Sequence, residues 1–490
     1  MRGLSARLLV AAALLGLLAA TVTGLAPAVV AADPPTSYAV EFVSAAARNA
    51  VMNDRGVIAG VRLTLLPGCT PATCAPTPEL VVWSGGTVTP LPLLPGWSSI
   101  TAVGINASGW VAGYAGDPTS TGARAVVWKP VGASYTAIDL GVLPGTTSSW
   151  TAGIDDSGRA VGWSTTGGAF PTATAPFVWS EATGLVDLTA QGFPNDMPQA
   201  VSPGGTVATP AYWYRLDDPS SVTRLASPPP GFTGPGNYPV AINDAGDQVR
   251  FLISTGAQFL PYLFRYHNAG TWQQIWFSPA GHLAPYGVGS INGAGDLTAT
   301  VGGVGLVAYG PSGLAEPLAA RLSLAYGGAA VTRGGSITSS GEILSGMVIG
   351  RAARLVRLLP ATSCANDCIR IVSIQMEGTF IPDPSDPDGC TPLAANHVVA
   401  TLTVKSEGKN FRNIPYLPLR DVTVTGRFLD DYYLDAPFIG TTDARGMLQF
   451  VHDGPACVGA IAFFVDDATR TGLVLDRTIG RLTNYVIPLP

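Results

Sequence analysis

The side chains that do most enzymatic chemistry are few and scattered in this 490-residue chain. Its histidines are His267, His282, His397 and His452, and no H-E-x-x-H pair offers two imidazoles to one zinc ion. A serine nucleophile needs a sharp strand-to-helix elbow, and no G-x-S-x-G occurs. Gly303-Val304-Gly305-Leu306-Val307-Ala308 matches the nucleotide fingerprint G-x-G-x-x-A, but no helix follows to hold a pyrophosphate. The neighbouring carboxylates Asp155-Asp156, Asp430-Asp431 and Asp466-Asp467 could do acid–base work if paired across a site. Adjacent strand positions face opposite sides, so turn and rim roles are expected of them instead. Asp383, Asp386 and Asp388 crowd three carboxylates into a Pro-rich loop, which makes them candidate Ca2+ ligands against the plainer reading of a solvated linker. No catalytic residue is assigned, the expectation is a protein that is not an enzyme, and no cofactor is expected beyond that Ca2+ loop.

The cysteines indicate a compartment rather than a reaction. There are six: Cys69, Cys74, Cys364, Cys368, Cys390 and Cys457. Their even number fits disulfides formed in an oxidising environment. Proximity favours Cys69–Cys74 and Cys364–Cys368, leaving Cys390–Cys457. A zinc reading nearly fits the two close pairs by spacing, but no histidine lies near either. Residues 1–32 read as a secretory signal: Arg2 and Arg7, an apolar run from Leu8 to Ala20, then small residues at Val30-Ala31-Ala32. The competing reading is an uncleaved anchor, but Gly16, Thr21, Thr23 and Pro27 interrupt the run. The expected location is therefore extracellular or on the cell surface, with no membrane span once the signal is removed.

The elements that would position any site belong to a repeat. Asn53-Asp54-Arg55-Gly56, Asn106-Ala107-Ser108-Gly109 and Asp155-Asp156-Ser157-Gly158 each follow an apolar residue and precede a short run of small apolar ones. Weaker copies place further glycines at Gly205, Gly246, Gly295 and Gly341, so the motif recurs every 41 to 53 residues. The first side chain can bond its own backbone two residues on, and the glycine supplies the positive φ of a tight hairpin. Runs such as Leu80-Val81-Val82-Trp83 and Ala125-Val126-Val127-Trp128 do not alternate, as expected of strands buried on both faces. With Tyr135 to Leu140 as a further strand, each repeat holds four strands. Seven such units predict a seven-bladed β-propeller over 36–360. Tyr38 to Val43 precedes the first turn and is expected to complete the last blade, removing exposed sheet edges.

Over these residues the chain resembles the extracellular HAF-repeat proteins. The resemblance is carried by Ile105 to Gly109, Ile154 to Gly158, the Ala-Val-Val-Trp run and Asp139-Leu140-Gly141-Val142-Leu143-Pro144-Gly145. The family's His-Ala-Phe-Leu-Trp strand begins here with Glu79, Arg124 or Ala175, never with histidine. The resemblance implies a secreted repeat protein and names no reaction.

Beyond about residue 360 the repeat stops, and all ten tryptophans lie before 280. A Cys/Pro/Asp-rich linker is expected over 361–394. Alternating runs such as Val399 to Val404, Val422 to Thr425 and Ala460 to Val465 then predict a β-sandwich over 395–490. Thr441 to Gly446 and Ala462 to Asp466 resemble Ig-like accessory domains of secreted bacterial enzymes. The fold class is thus all-β, a seven-bladed β-propeller followed by an Ig-like β-sandwich.

Charged residues make up 12%, net charge is −6 and no Lys/Arg cluster is visible, which argues against nucleic acid as a partner. Mean hydropathy is +0.30, consistent with buried strands. Trp97, Trp110, Trp150, Trp163, Trp272 and Trp276 fall outside the doubly buried runs. Their rings could stack on a ligand or fill gaps between blades. The leading expectation is a secreted or cell-surface binding or adhesion protein whose ligand is an extracellular glycan or protein. The alternatives are a polysaccharide-active enzyme using carboxylates in the propeller channel, and a structural envelope protein.

Overall fold

The computed structural model describes residues 34–44, 47–64, 77–116, 122–166, 174–233, 240–255, 261–277, 286–327, 329–349, 352–361, 364, 368–381, 395–407, 417–429, 437–455, 461–486. All of them fall in one compact unit, Pro34–Pro490. The expected signal segment, Cys69, Cys74, His282, Asp383, Asp386, Asp388, Cys390, Asp430-Asp431 and Cys457 lie outside the described residues.

The chain is all-β, built as a propeller-like succession of small antiparallel sheets. The second sheet shows the plan. Ile100–Ile105, Val111–Ala115, Arg124–Val131 and Ser134–Asp139 pair in that order, each strand with the next. The other sheets of the repeat region begin at Ala47–Met52, Ser148–Ile154, Ala200–Val201, Val240–Ile242, Tyr286–Ile291 and Ala330–Ile337. All are four-stranded except the fifth, where Phe232–Thr233 and Val240–Ile242 both pair with Gln248–Ser254.

The glycine at each repeat turn has positive φ, from 72° at Gly56 to 88° at Gly246. Gly113 and Gly162, which end the short apolar run after the second and third turns, are small for a different reason. The inner strands carry a bulge between Ala102 and Gly104 and between Thr151 and Gly153, which brings their backbone close to the next strand. A Cβ on Gly113 would run into the Thr101 carbonyl oxygen, and one on Gly162 into the Trp150 carbonyl oxygen. The requirement for a small residue at these two positions thus arises within a sheet.

The non-alternating runs are buried on both faces: Val126, Val127 and Trp128 are all fully buried. Ser37–Ser44 pairs antiparallel with Ala352–Ala361, so the amino-terminal strand is the outer strand of the seventh sheet. That sheet in turn packs on the first: Leu344 and Leu355 share a core with Ala50, Met52, Ile58, Val81 and Trp83.

The C-terminal region corrects the expected linker. Cys368–Ile381 is a strand of 14 residues paired along its length with Ala395–Glu407. Met447–Pro455 pairs with the other edge of Ala395–Glu407. A second sheet orders Pro437–Thr441, Thr423–Leu429, Ile461–Thr469 and Thr483–Val486. Phe428, Phe463 and Phe450 pack between the two. Ile374-Gln375-Met376-Glu377 alternates as a half-buried strand should, so the pairing has a local cause inside the segment expected to be a linker. Cys364 and Cys368 form a disulfide at the entrance to this strand. No helix among the described residues is long and apolar enough to cross a membrane.

Candidate functional site

The inner strands of all seven repeat sheets line one cavity of about 1030 Å3. Its geometry follows from the turns. In the first copy the Asn53 side-chain oxygen accepts from the backbone N–H groups of Arg55 and Val57, which fixes the hairpin. Its amide nitrogen then donates to the carbonyl of Asn106, 2.7 Å away in the second sheet. Asn106 repeats both roles, donating to the Asp155 carbonyl at 3.0 Å. Asn243 donates to the Asn292 carbonyl and Asn292 to the Thr338 carbonyl.

Where asparagine is replaced, another bond spans the junction. Asp155 cannot donate, and its carboxylate is held by the Arg159 side chain at 2.7 Å. There the Asp156 N–H donates to the Pro203 carbonyl. The Gly204 N–H donates to the Asp244 carboxylate, and the Ser339 N–H to the Asp54 carboxylate, joining seventh sheet to first. Every one of the seven junctions is therefore bridged at the turn level. The asparagines' own turns were readable from spacing, but their bonds to the neighbouring sheet were not, because those depend on how the sheets meet.

This ring decides what the channel carboxylates can do. Asp54, Asp156 and Asp244 line the cavity at the turns, and each accepts a backbone N–H from an adjacent sheet. Asp155 is fully buried in its ion pair and does not line the cavity. These are structural roles, in keeping with the turn and rim roles expected of Asp155-Asp156. Asp466 is held by both oxygens to Arg427 Nε, at 3.0 and 2.9 Å, and Asp467 meets Arg477 at 3.3 Å, both within the C-terminal sheets. Burial pushes the Asp466 carboxyl upward, opposed by Arg427.

The described histidines do not converge. His267 lies 3.8 Å from Asp247, His397 is paired with Asp453 on the surface, and His452 is buried beside Phe428. Among the described residues no three His, Cys, Asp or Glu side chains gather as a metal group. Gly302 and Gly303 form the hairpin between Leu297–Val301 and Val304–Ala308, so the G-x-G-x-x-A match is a turn and a strand.

The six tryptophans are not surface platforms. Trp150 is 2% exposed and stacks on Trp163 with centroids 6.1 Å apart. Trp97 closes over Gly116, and Trp110 covers the turn glycine Gly158 of the next sheet beneath the Lys129 ammonium. Trp272 packs on Tyr266 and Phe264, and Trp276 against the core between the fifth and sixth sheets. Trp163 alone of the six also lines the channel.

Sequence reasoning passed over Arg333, on the inner strand of the seventh sheet. It lines the cavity, and among the described residues its guanidinium makes no hydrogen bond or ion pair. Burial lowers its pKa, and no opposing charge offsets that effect. The motif copy around it is weak, so nothing in the local spacing singled it out.

No family model matches the chain, and no curated protein sequence matches it. The likeness to HAF-repeat proteins therefore rests on the motifs quoted above. Several solved structures align with it. One is virginiamycin B lyase from Staphylococcus aureus, at 9% identity and TM-score 0.36, covering 66% of this chain and 99% of that one. A gluconolactonase from Xanthomonas campestris aligns at 11% identity and TM-score 0.30, covering 69% and 99%. A polysaccharide lyase, ulvan lyase bound to -[GlcA(1-4)Rha3S]-, aligns at 9% and 0.34, covering 65% and 95%. At scores of this size the description of the fold rests on the strand pairing itself.

Proposed function

We propose that the protein is a secreted or cell-surface binding protein that takes an extracellular ligand into the channel of a seven-bladed HAF-like propeller. In this reading residues 36–360 are the propeller, sealed by strand Ser37–Ser44, and the sheets from Cys368 onward are an Ig-like sandwich. The signal segment and the Cys69–Cys74 and Cys390–Cys457 disulfides remain parts of the proposal, and Asp383, Asp386 and Asp388 are read as a solvated linker, with Ca2+ binding the alternative. The observation that carries binding over catalysis is the engagement of Asp54, Asp156 and Asp244 by backbone N–H groups. A carboxylate fixed in that way holds the scaffold in register and is poorly placed to shuttle protons.

The test is a glycan array with purified protein, repeated with Ala152→Trp, which places an indole on the channel wall. The expected outcome is a bound glycan that the substitution abolishes. Hydrolysis or elimination of any bound polysaccharide, lost in Asp54→Asn, Asp156→Asn or Asp244→Asn, would replace this reading with the channel enzyme.

A further inference from the structure

The channel differs in charge between its two ends. One end is the ring of turns, bearing Asp54, Asp156 and Asp244. The other can be located by register. Five positions before the first turn residue stand Thr101 in the second sheet, Trp150 in the third, Met197 in the fourth and Arg333 in the seventh. Tyr114 is paired directly with Thr101, and Trp163 with Trp150. At about 3.3 Å per residue this level lies roughly 15 Å from the turns. Arg333, Tyr114, Trp163 and Met197 all line the cavity there.

Three facts at this level call for a ligand. Arg333 is a partly buried cation without a counter-charge among the described residues. Such a half-buried cation has given up part of its hydration, which an anion entering the channel can replace. Trp163 Nε1 is buried and makes no hydrogen bond, leaving one unused donor. Tyr114 on the second sheet and Trp163 on the third line the cavity at the same level as the cation, two and three places round the ring from the seventh. A guanidinium fork matches a carboxylate with two parallel N–H groups, and aromatic faces take the C–H face of a sugar ring.

We propose that this end of the channel is a subsite for a uronic acid residue, its carboxylate on Arg333 and its ring against Trp163 and Tyr114. The inference rests on the channel-binding reading and narrows its ligand to an acidic glycan. The polarity of the channel sets the direction of entry. The carboxylates at the turns repel a polyanion threaded right through, so the acidic unit enters and stays at the Arg333 end.

The experiment is calorimetric titration of the full protein with trimeric galacturonate, glucuronate and mannuronate, and with their methyl esters. Binding of at least one acid, with the matching ester roughly ten- to a hundredfold weaker, is expected from the loss of charge-assisted hydrogen bonds. Arg333→Gln should weaken the acid by a similar factor and leave the ester unchanged. Arg333→Lys should retain part of the affinity, with a steeper salt dependence, which separates a lost charge from a misfolded channel. If none of the acids binds, the uronate subsite is overturned. Equal binding of acid and ester that Ala152→Trp abolishes overturns the subsite and leaves channel binding standing. Binding that neither Arg333→Gln nor Ala152→Trp alters overturns both.

Discussion

A single amide side chain does two jobs at Asn106. Its oxygen accepts from the Ser108 and Trp110 N–H groups, and its nitrogen donates to the Asp155 carbonyl of the next sheet. Asn106→Asp keeps the first job and loses the second, and it turns a carboxylate toward a carbonyl oxygen. The expected loss is about 1–3 kcal/mol, read as a lower midpoint in urea unfolding. An unchanged midpoint would mean that the inter-sheet bond contributes nothing. The natural aspartate at 155 escapes this cost because Arg159 takes up its charge. Gly113 makes a steric case of the same size. Gly113→Ala places a methyl on the Thr101 carbonyl oxygen across the bulge. Overpacking there should cost at least about 2 kcal/mol, measured in the same way. Gly132→Ala is the informative contrast, since a Cβ there meets nothing and only the positive φ of 62° is strained.

At the scale of elements, much was readable from sequence and the limits have physical causes. Gly56 to Gly341 were visible because a positive φ leaves a residue-type mark at a fixed place in each turn. Val126-Val127-Trp128 were visible because double burial erases alternation. Cys368–Ile381 was missed although Ile374 to Glu377 alternates, because cysteines and prolines on either side suggested a break. The channel asparagines were seen as turn formers only, and Arg333 not at all, since both functions depend on residues far away in sequence. The strand Ser37–Ser44 was legible from its position before the first turn, and it pairs as expected with Ala352–Ala361. Tyr38 within it is fully buried, and its hydroxyl bonds the Gly341 carbonyl. Deleting residues 36–44 exposes the edge of Ala352–Ala361 and removes that core. The melting temperature should fall sharply and the protein should associate on heating, as light scattering would register. An unchanged melt would show that the seventh sheet is stable without its outer strand.

For the whole molecule, the relation between the repeat sheets and the C-terminal sheets matters most. A spacer or second adhesive unit on a flexible joint would share little core with the sheets before it. Here one hydrophobic cluster runs from Tyr38, Val356 and Tyr326 into Phe464, Ile371 and Leu482. Tyr326 stacks on Phe464 at 6.0 Å, and the Leu482 N–H donates to the Ala325 carbonyl. Ser323 donates to the Arg477 carbonyl at 2.6 Å, and the Arg427 guanidinium sits 4.1 Å over the Phe42 ring. Phe42 belongs to the strand that completes the seventh sheet, so the C-terminal sheets brace the place where the chain returns on itself. A shared core couples unfolding, because neither part can open without exposing apolar surface of the other. Calorimetry of the intact protein should therefore show one transition. Phe464→Ala, which removes the stacked ring and leaves a void, should lower that transition and split it in two, the cost being about 3–5 kcal/mol. Two separate transitions in the unaltered protein, at temperatures that Phe464→Ala leaves in place, would show that the two parts are thermodynamically independent.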